Sequence, residues 1–435
     1  MNNMVPQHAN LDSLSFVCNC SASSAPNGGL VLLFYRYYAA SPCLPDQPPE
    51  NNPALLAQFH QTLTKKLSLG GKIRVATEGF NITVGGTKNS IKEYMLECVS
   101  HWSFQGLELS TEGERKAFFK PSEGGCACAF DGASIRVASE ITPMGVTNYA
   151  PRSWDEIDVL SPEEFHERCH LDPNTVLLDV RNHYESRIGF FVNPKTGETA
   201  LRPPIRRFSQ WPQYVRKYMG DQDKKMNPST NGKQYLTFCT GGIRCEKGAR
   251  YMQENMAKQP GDSVATLKGG IAAYLTWMDE EIKQGRKKPN DSLFKGKNYV
   301  FDARGSTALN EGSEPVSQCH GCRTASDRLS KCCSKGCHLI LVVCEACEKS
   351  TNVRCCQSCL DIEEMSSDNS SHGHRPICTC EQERETLLWG EGSRKLPKTG
   401  KNRKSGNAKA SAKAPSTQMF EVTSALVPMP KLAPP

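Results

Sequence analysis

One segment restricts the fold of this chain more than any other. The apolar run Tyr235–Phe238 is followed by Cys239, Thr240, Gly241, Gly242, Ile243 and Arg244, and then by a helical stretch from Cys245 to Ala257. A strand that enters a helix through a glycine-containing loop aims loop amides and the helix N-terminus at one point, where the dipole favours negative charge. A cysteine at that point has its pKa lowered and is available as thiolate near neutral pH. Gly241 and Gly242 let the backbone curl around the sulfur. The loop requires a sheet with helices on its faces. Val176–Val180 and Val264–Leu267 supply further short apolar strands, the second followed by Gly269-Gly270 and a helix over Ile271–Met278. Ser161-Pro162-Glu163-Glu164 reads as a helix start with Ser161 as cap and Glu164 closing a capping box. Residues 151–290 are therefore predicted as an α/β domain with a doubly wound parallel sheet.

The loop count separates chemistries. A Cys-x5-Arg loop leaves room for a tetrahedral phosphate, as in cysteine-dependent phosphatases. Cys239 to Arg244 is Cys-x4-Arg, a smaller cradle that suits a persulfide or a small sulfur oxyanion. The competing reading is a buried structural cysteine at a strand end.

Residues 1–27 are polar and read as a flexible N-terminus. Residues 28–112 alternate strand and helix signals: Leu30–Tyr38, then Leu56, Phe59, Leu63 and Leu67 at helical spacing. Strands Lys72–Thr77 and Asn81–Val84 follow, then a second helical stripe (Ile91, Tyr94, Met95, Cys98, Val99) and a short strand at Leu107–Ser110. This β-α-β-β-α-β order predicts an α+β ferredoxin-like or acylphosphatase-like module. Residues 113–150 read as a linker and 291–314 as a connector.

The chain holds 21 cysteines in 435 residues. No charged, apolar leader follows Met1, and no run approaches the ~20 apolar residues of a membrane span. A cytoplasmic, membrane-free chain is expected, in which cysteines are metal ligands or catalytic thiols before they are disulfides. Over 315–360 the pairs Cys319/Cys322, Cys333/Cys337, Cys344/Cys347 and Cys356/Cys359 offer eight thiolates, enough for two tetrahedral, structural zinc ions. Cys332, Cys355, His320 and His338 are alternates. Cys378 and Cys380, with His372 and His374, are expected to stay outside. Eight basic residues and no acid lie between Arg394 and Lys413; taking them from the net charge of +7 leaves −1 for the rest. Residues 361–435 are accordingly predicted as a disordered basic tail, able to attract RNA phosphates.

Several strings carry a family likeness. Leu177-Leu178-Asp179-Val180-Arg181-Asn182, Tyr184-Glu185-x-Arg187-Ile188-Gly189, Cys239 to Lys247 and Leu267-x-Gly-Gly-Ile271 resemble a rhodanese domain. More narrowly, they are similar to the rhodanese-containing tRNA uridine hydroxylase family, whose members place an acylphosphatase-like module before that domain and a cysteine cluster after it. Glu78-Gly79-Phe80-Asn81 and the stretch from Phe294 to Arg304 fit the same family, and the likeness covers about residues 28–360. The resemblance implies that Cys239 is the essential cysteine, that Arg244 orients the anion, and that the amides of Thr240, Gly241, Gly242 and Ile243 line the cradle. Asp179 and Arg181 would brace the loop, or form a structural ion pair. Cys245 would resolve a persulfide, or only cap the helix. The implied activity is 5-hydroxylation of a tRNA wobble uridine, with tRNA as partner and an oxidant or sulfur donor (thiosulfate or a donor protein) that the sequence does not specify. Two alternatives stand beside it: a general thiosulfate or persulfide sulfurtransferase, and a non-catalytic zinc-containing adaptor for RNA or protein. His183-Tyr184-Glu185 also offers part of a 2-His-1-carboxylate iron set, within a stretch that rhodanese domains use structurally. The segment from Asn193 to Val215, with Arg202, Arg206 and Arg207, departs from bacterial members.

Overall fold

The structure is a computed structural model. It describes residues 28–45, 52–146, 148–220, 232–309, 313–335, 337, 339–350, 353–367 and 377–389. Cys18, Cys20, His338, His372, His374 and the basic run 394–413 lie outside these residues.

The first module is built on β1 (Gly29–Tyr37), α1 (Pro53–Lys66), β2 (Gly70–Ala76), β3 (Gly79–Thr87), α2 (Lys88–Val99), α3 (Glu112–Phe119) and β4 (Ala133–Val137). Its sheet runs in the order β1-β3-β2-β4. β3 lies antiparallel between β1 and β2, whereas β4 joins β2 in parallel. Helix α1 starts at Asn52, whose side chain accepts from the Ala54 amide, with Pro53 at the first position where a missing N–H costs nothing. Its stripe Leu56, His60 and Leu63 and the α2 stripe Ile91, Tyr94 and Cys98 bury one face of the sheet. Phe34, Phe80, Phe104 and Phe119 close the core; each fully buried phenylalanine contributes about 2–3 kcal/mol. The fourth strand is Ala133–Val137, inside the predicted linker, and Leu107–Ser110 is an irregular segment. Leu109 fills the core from that irregular segment. β4 is an edge strand, largely exposed, so it lacks the apolar signature of the others.

The second module holds β5 (Asp158–Leu160), α4 (Pro162–Leu171), β6 (Thr175–Asp179), β7 (Gly189–Phe191), α5 (Trp211–Tyr218), β8 (Gln234–Phe238), α6 (Ile243–Asn255), β9 (Ser263–Leu267) and α7 (Gly270–Lys283). Strands β5-β9-β8-β6 form one all-parallel sheet. Helices cover both faces, which explains why the central strands read as continuous apolar runs. The capping box at Ser161 and Glu164 is formed. Strand β10 (Phe294–Gly296) pairs with β7, and β11 (Asn298–Tyr299) with β12 (Ser306–Thr307).

A small cysteine-rich module follows: the hairpin β13 (Leu329–Lys331) and β14 (Ile340–Val342), then α8 (Glu345–Ser350) and α9 (Gln357–Ser367). Beyond it, α10 (Thr379–Trp389) departs from the disorder predicted for 361–435. Leu388 is fully buried in the core of the second module, and Arg384 donates to the Pro204 carbonyl and to Gln210. A few residues anchored on another domain escape a compositional reading, which averages over the whole tail. No helix among the described residues is long and apolar enough to cross a membrane.

The two larger modules meet face to face. β1 is apolar on both faces because Leu32 and Phe34 enter its own core while Tyr35 and Tyr37 pack on Trp154, Ile141 and Ile243. The junction is pinned by Lys247, 1% exposed, whose ammonium binds Glu78 at 3.0 Å and Glu140 at 2.8 Å. Replacing both acids (Glu78→Gln with Glu140→Gln) strands that buried cation, and the expected loss is about 3 kcal/mol, read as a lower Tm. Glu123→Gln, which removes only the exposed Lys88 pair, is expected to leave Tm unchanged.

Candidate active site

β8 delivers Cys239 to the C-terminal edge of the parallel sheet. The loop that follows turns back on itself at Gly242, whose φ of 97° only glycine adopts readily. The Gly242 amide donates to Cys239 Sγ at 3.2 Å. The start of α7 supports the loop from behind: the amides of Ile271 and Ala272 donate to the carbonyls of Cys239 and Thr240 at 2.9 and 3.0 Å. This approach demands glycine at 270, where a Cβ would stand 2.4 Å from the Cys239 carbonyl and 2.6 Å from the Gly242 nitrogen.

Arg244 stands on the first turn of α6 and makes a two-pronged pair with Glu185, both N–O distances 2.7 Å. Thr240 Oγ1 donates to Glu185 at 3.1 Å and accepts from Arg244 at 3.1 Å. The Asn182 amide gives Glu185 a further bond. Burial alone raises a carboxyl pKa. The charge and hydrogen bonds of Arg244, with Arg181 nearby, more than offset it and hold Glu185 below the usual range. The same geometry fixes the guanidinium, whose outer side faces the half-exposed ring of Phe301, 5.7 Å from its centroid.

Cys239 has no exposed surface. Burial raises a thiol, but a hydrogen bond with Cys245, the Arg244 charge and the amides of Cys245 and Arg244 outweigh it and lower Cys239 to about 6. Cys245 is pushed the other way, first by burial and then by its bond to the Cys239 sulfur. The pair is therefore thiolate at 239 and thiol at 245. The first module roofs the cradle. A Cβ at Gly241 would come 3.0 Å from Leu33, and one at Gly242 would come 2.7 Å from the Tyr35 hydroxyl, which donates to Glu246 at 3.0 Å. Ile243 is half-buried among the β1 tyrosines. Lys120, half-buried, holds its ammonium 5.1 Å from the Tyr35 ring centroid. Burial lowers it to about 8, against the opposing pull of Cys239 and Glu246.

The remaining predicted positions divide. Asp179 and Arg181 form a buried two-pronged pair, and Arg181 also donates to the Gly189 carbonyl at 2.6 Å. They tie the end of β6 to β7, a layer behind the cradle. Glu185 is engaged by Arg244 and Thr240, so His183-Tyr184-Glu185 does not assemble an iron set, and among the described residues the converging ligand groups are all cysteine. Sulfurs of Cys319, Cys322, Cys344 and Cys347 lie within 4.8 Å of one another. A second group is Cys332, Cys337, Cys355 and Cys359, and a third is Cys355, Cys356, Cys359 and Cys378. Cys333, named from its spacing, is exposed and belongs to none of them. Its neighbour Cys332, just past the end of β13, is buried and belongs to the second group. Sequence reasoning passed over Lys247, Tyr35 and Lys120, weighed Glu185 only as an iron ligand, and left Cys378 outside the cysteine cluster, where its sulfur now joins a converging group. Glu185 and Lys247 stood in strings already singled out; Tyr35 and Lys120 become visible only when modules pack.

Comparison with known proteins agrees with this architecture. Residues 29–141 match the family model described as UPF0176 acylphosphatase like domain, and residues 295–360 match the one described as Rhodanase C-terminal. The chain is 33% identical over 288 residues to the tRNA uridine(34) hydroxylase of Staphylococcus saprophyticus, covering 66% of this chain and 75% of that protein. The chain belongs to the tRNA uridine(34) hydroxylase family. The Chlamydia felis member is 27% identical over 347 residues, covering 78% of this chain and 94% of the relative. Rhodanese-like domain-containing protein 6 of Arabidopsis thaliana is 29% identical over 365 residues, and the chain spans only 56% of its length.

The thiolate assignment has a direct readout. The alkylation rate of Cys239 by iodoacetamide, followed by peptide mass spectrometry, is expected to rise with pH through a midpoint near 6 and to level off above it, since only the deprotonated form reacts. Arg244→Gln removes the adjacent cation and is expected to raise the midpoint by about one pH unit. Lys120→Met, acting from farther away, moves it in the same direction by less.

Proposed function

We propose that this chain hydroxylates C5 of the wobble uridine in tRNA and that Cys239 is its reacting thiolate. The observation that carries the reading is a sulfur held as thiolate at a strand–helix junction, with an arginine locked beside it by a buried glutamate. The family membership directs that chemistry toward tRNA uridine. Replacing C5–H by C5–OH removes two electrons from the base, so the reaction consumes an external oxidant together with tRNA. Within it, Cys239 supplies the nucleophile and the loop amides and Arg244 stabilise negative charge as it develops. Cys245 keeps its proton and donates to the thiolate. The roof formed by Leu33 and Tyr35 keeps water from the sulfur, and it must lift for a nucleoside to enter.

The cysteine module is read as zinc-bound. Zinc–sulfur bonds of about 2.3 Å place the corners of a tetrahedron about 3.8 Å apart. The first group fits that edge, with Cys322 and Cys344 sulfurs at 3.5 Å. Zinc there would hold the β13–β14 hairpin and α8 together; an all-cysteine site is closed and structural.

Nucleoside mass spectrometry of tRNA tests the function. In cells lacking the protein, 5-hydroxyuridine derivatives are expected to disappear, to return with the wild-type chain, and to stay absent with Cys239→Ser. Unchanged hydroxylated uridines with loss of a thiolated nucleoside would transfer the assignment to sulfur delivery. Full rescue by Cys239→Ser would remove the cysteine from the chemistry.

A further inference from the structure

The second and third sulfur groups are not separate. They share Cys355 and Cys359, so together they comprise six cysteines: Cys332, Cys337, Cys355, Cys356, Cys359 and Cys378. Cys355 stands at the centre, with its sulfur 3.3 Å from Cys359, 3.6 Å from Cys378, 3.8 Å from Cys356 and 3.9 Å from Cys337. Cys332 and Cys359 are 3.9 Å apart. These separations cluster around the edge of a zinc–sulfur tetrahedron, about 3.8 Å. Two tetrahedra that share two corners form an edge-sharing pair, which is the arrangement of a binuclear zinc–thiolate cluster.

We propose that these six cysteines bind two zinc ions in one cluster, bridged by Cys355 and Cys359, and that the cluster fastens α10 to the second module. The proposal deepens the zinc reading above and rests on it. Charge supports two ions over one. Four thiolates around one Zn²⁺ carry a net charge of −2. Adding two thiolates and a second Zn²⁺ leaves that total unchanged, so the second ion brings no additional buried charge. Six converging thiolates with a single ion would leave −4.

Cys378 is the residue that gives the cluster its reach. It lies past the end of the Rhodanase C-terminal match at residue 360 and immediately before α10. From there Glu381 pairs with Arg206 at 3.1 Å, Arg384 holds Gln210 and the Pro204 carbonyl, and Leu388 seals the core that contains Cys239. The Arg206 segment continues directly to the active site: the Ile205 carbonyl accepts from the His183 amide at 2.8 Å, two residues before Glu185. Metal binding at Cys378 would thus brace the segment that carries the partner of Arg244.

Zinc counting on the full chain tests this. Native mass spectrometry of protein purified under reducing conditions with zinc present is expected to show three ions, one at the Cys319 group and two in the cluster. Cys378→Ser is expected to lose one ion and to increase deuterium uptake over 379–389. Cys380→Ser, whose thiol donates to the Cys355 carbonyl at 3.2 Å and also bonds with the Cys356 side chain but belongs to none of the converging groups, is expected to keep three. Leu388→Ala separates metal from packing, because it should loosen α10 with all three ions retained. Cadmium-113 substitution is expected to give two signals coupled through the bridging sulfurs. Two ions in the wild-type chain would overturn the cluster while leaving the zinc reading intact; none would overturn both. Three ions without cadmium–cadmium coupling, or three ions in Cys378→Ser, would also overturn it.

Discussion

The buried pair between Arg244 and Glu185 is the interaction on which the site depends. An ion pair inside a protein is tolerated only when geometry and extra hydrogen bonds repay desolvation. Here both guanidinium prongs, the Thr240 hydroxyl and the Asn182 amide saturate one carboxylate. The arginine is thereby immobilised beside Cys239, and the sulfur meets a fixed positive charge and a ring of amides. A lysine would supply charge without the two-pronged fit. The thiolate follows from this arrangement against the effect of burial, which by itself would keep the sulfur protonated.

The first module completes the site. Its β1 strand sends one face into its own aromatic core and lays the other across the Cys239 loop. Lys247, on the helix that begins at the loop, reaches into the first module for two carboxylates. The Cys239 loop and the module junction therefore share one short helix. A motion that opens the roof must act on Tyr35, Glu246 and the Lys247 contacts together, which ties access to Cys239 to the packing of two domains.

Much of the architecture was legible from residues alone, and the failures have physical causes. The parallel strands of the second module announce themselves because burial on both faces makes them continuously apolar. Strand β4 does not, since an exposed edge strand needs no apolar face. Helix α10 was hidden because a few anchoring residues in a polar tail gain their burial from another domain. Among the cysteines, two-residue spacing identified the Cys319 group. The three-residue spacing to Cys337 selected Cys333 over Cys332, however, because spacing counts residues and does not say which side of the backbone each occupies.

The sequence by itself determined the local cradle: a cysteine, two glycines and an arginine at fixed intervals between strand and helix, which local backbone geometry converts into a ring of amides around the sulfur. The tertiary structure decided what surrounds that cradle. Glu185 lies 59 residues from Arg244 along the chain, Glu78 lies 169 from Lys247, and Tyr35 lies 211 from Glu246. Local spacing carries no information about partners at such separations. Folding of the second module on itself brings Glu185 to Arg244, and only the packing of one module on the other, driven by burial of β1 on both faces, brings the other two pairs together.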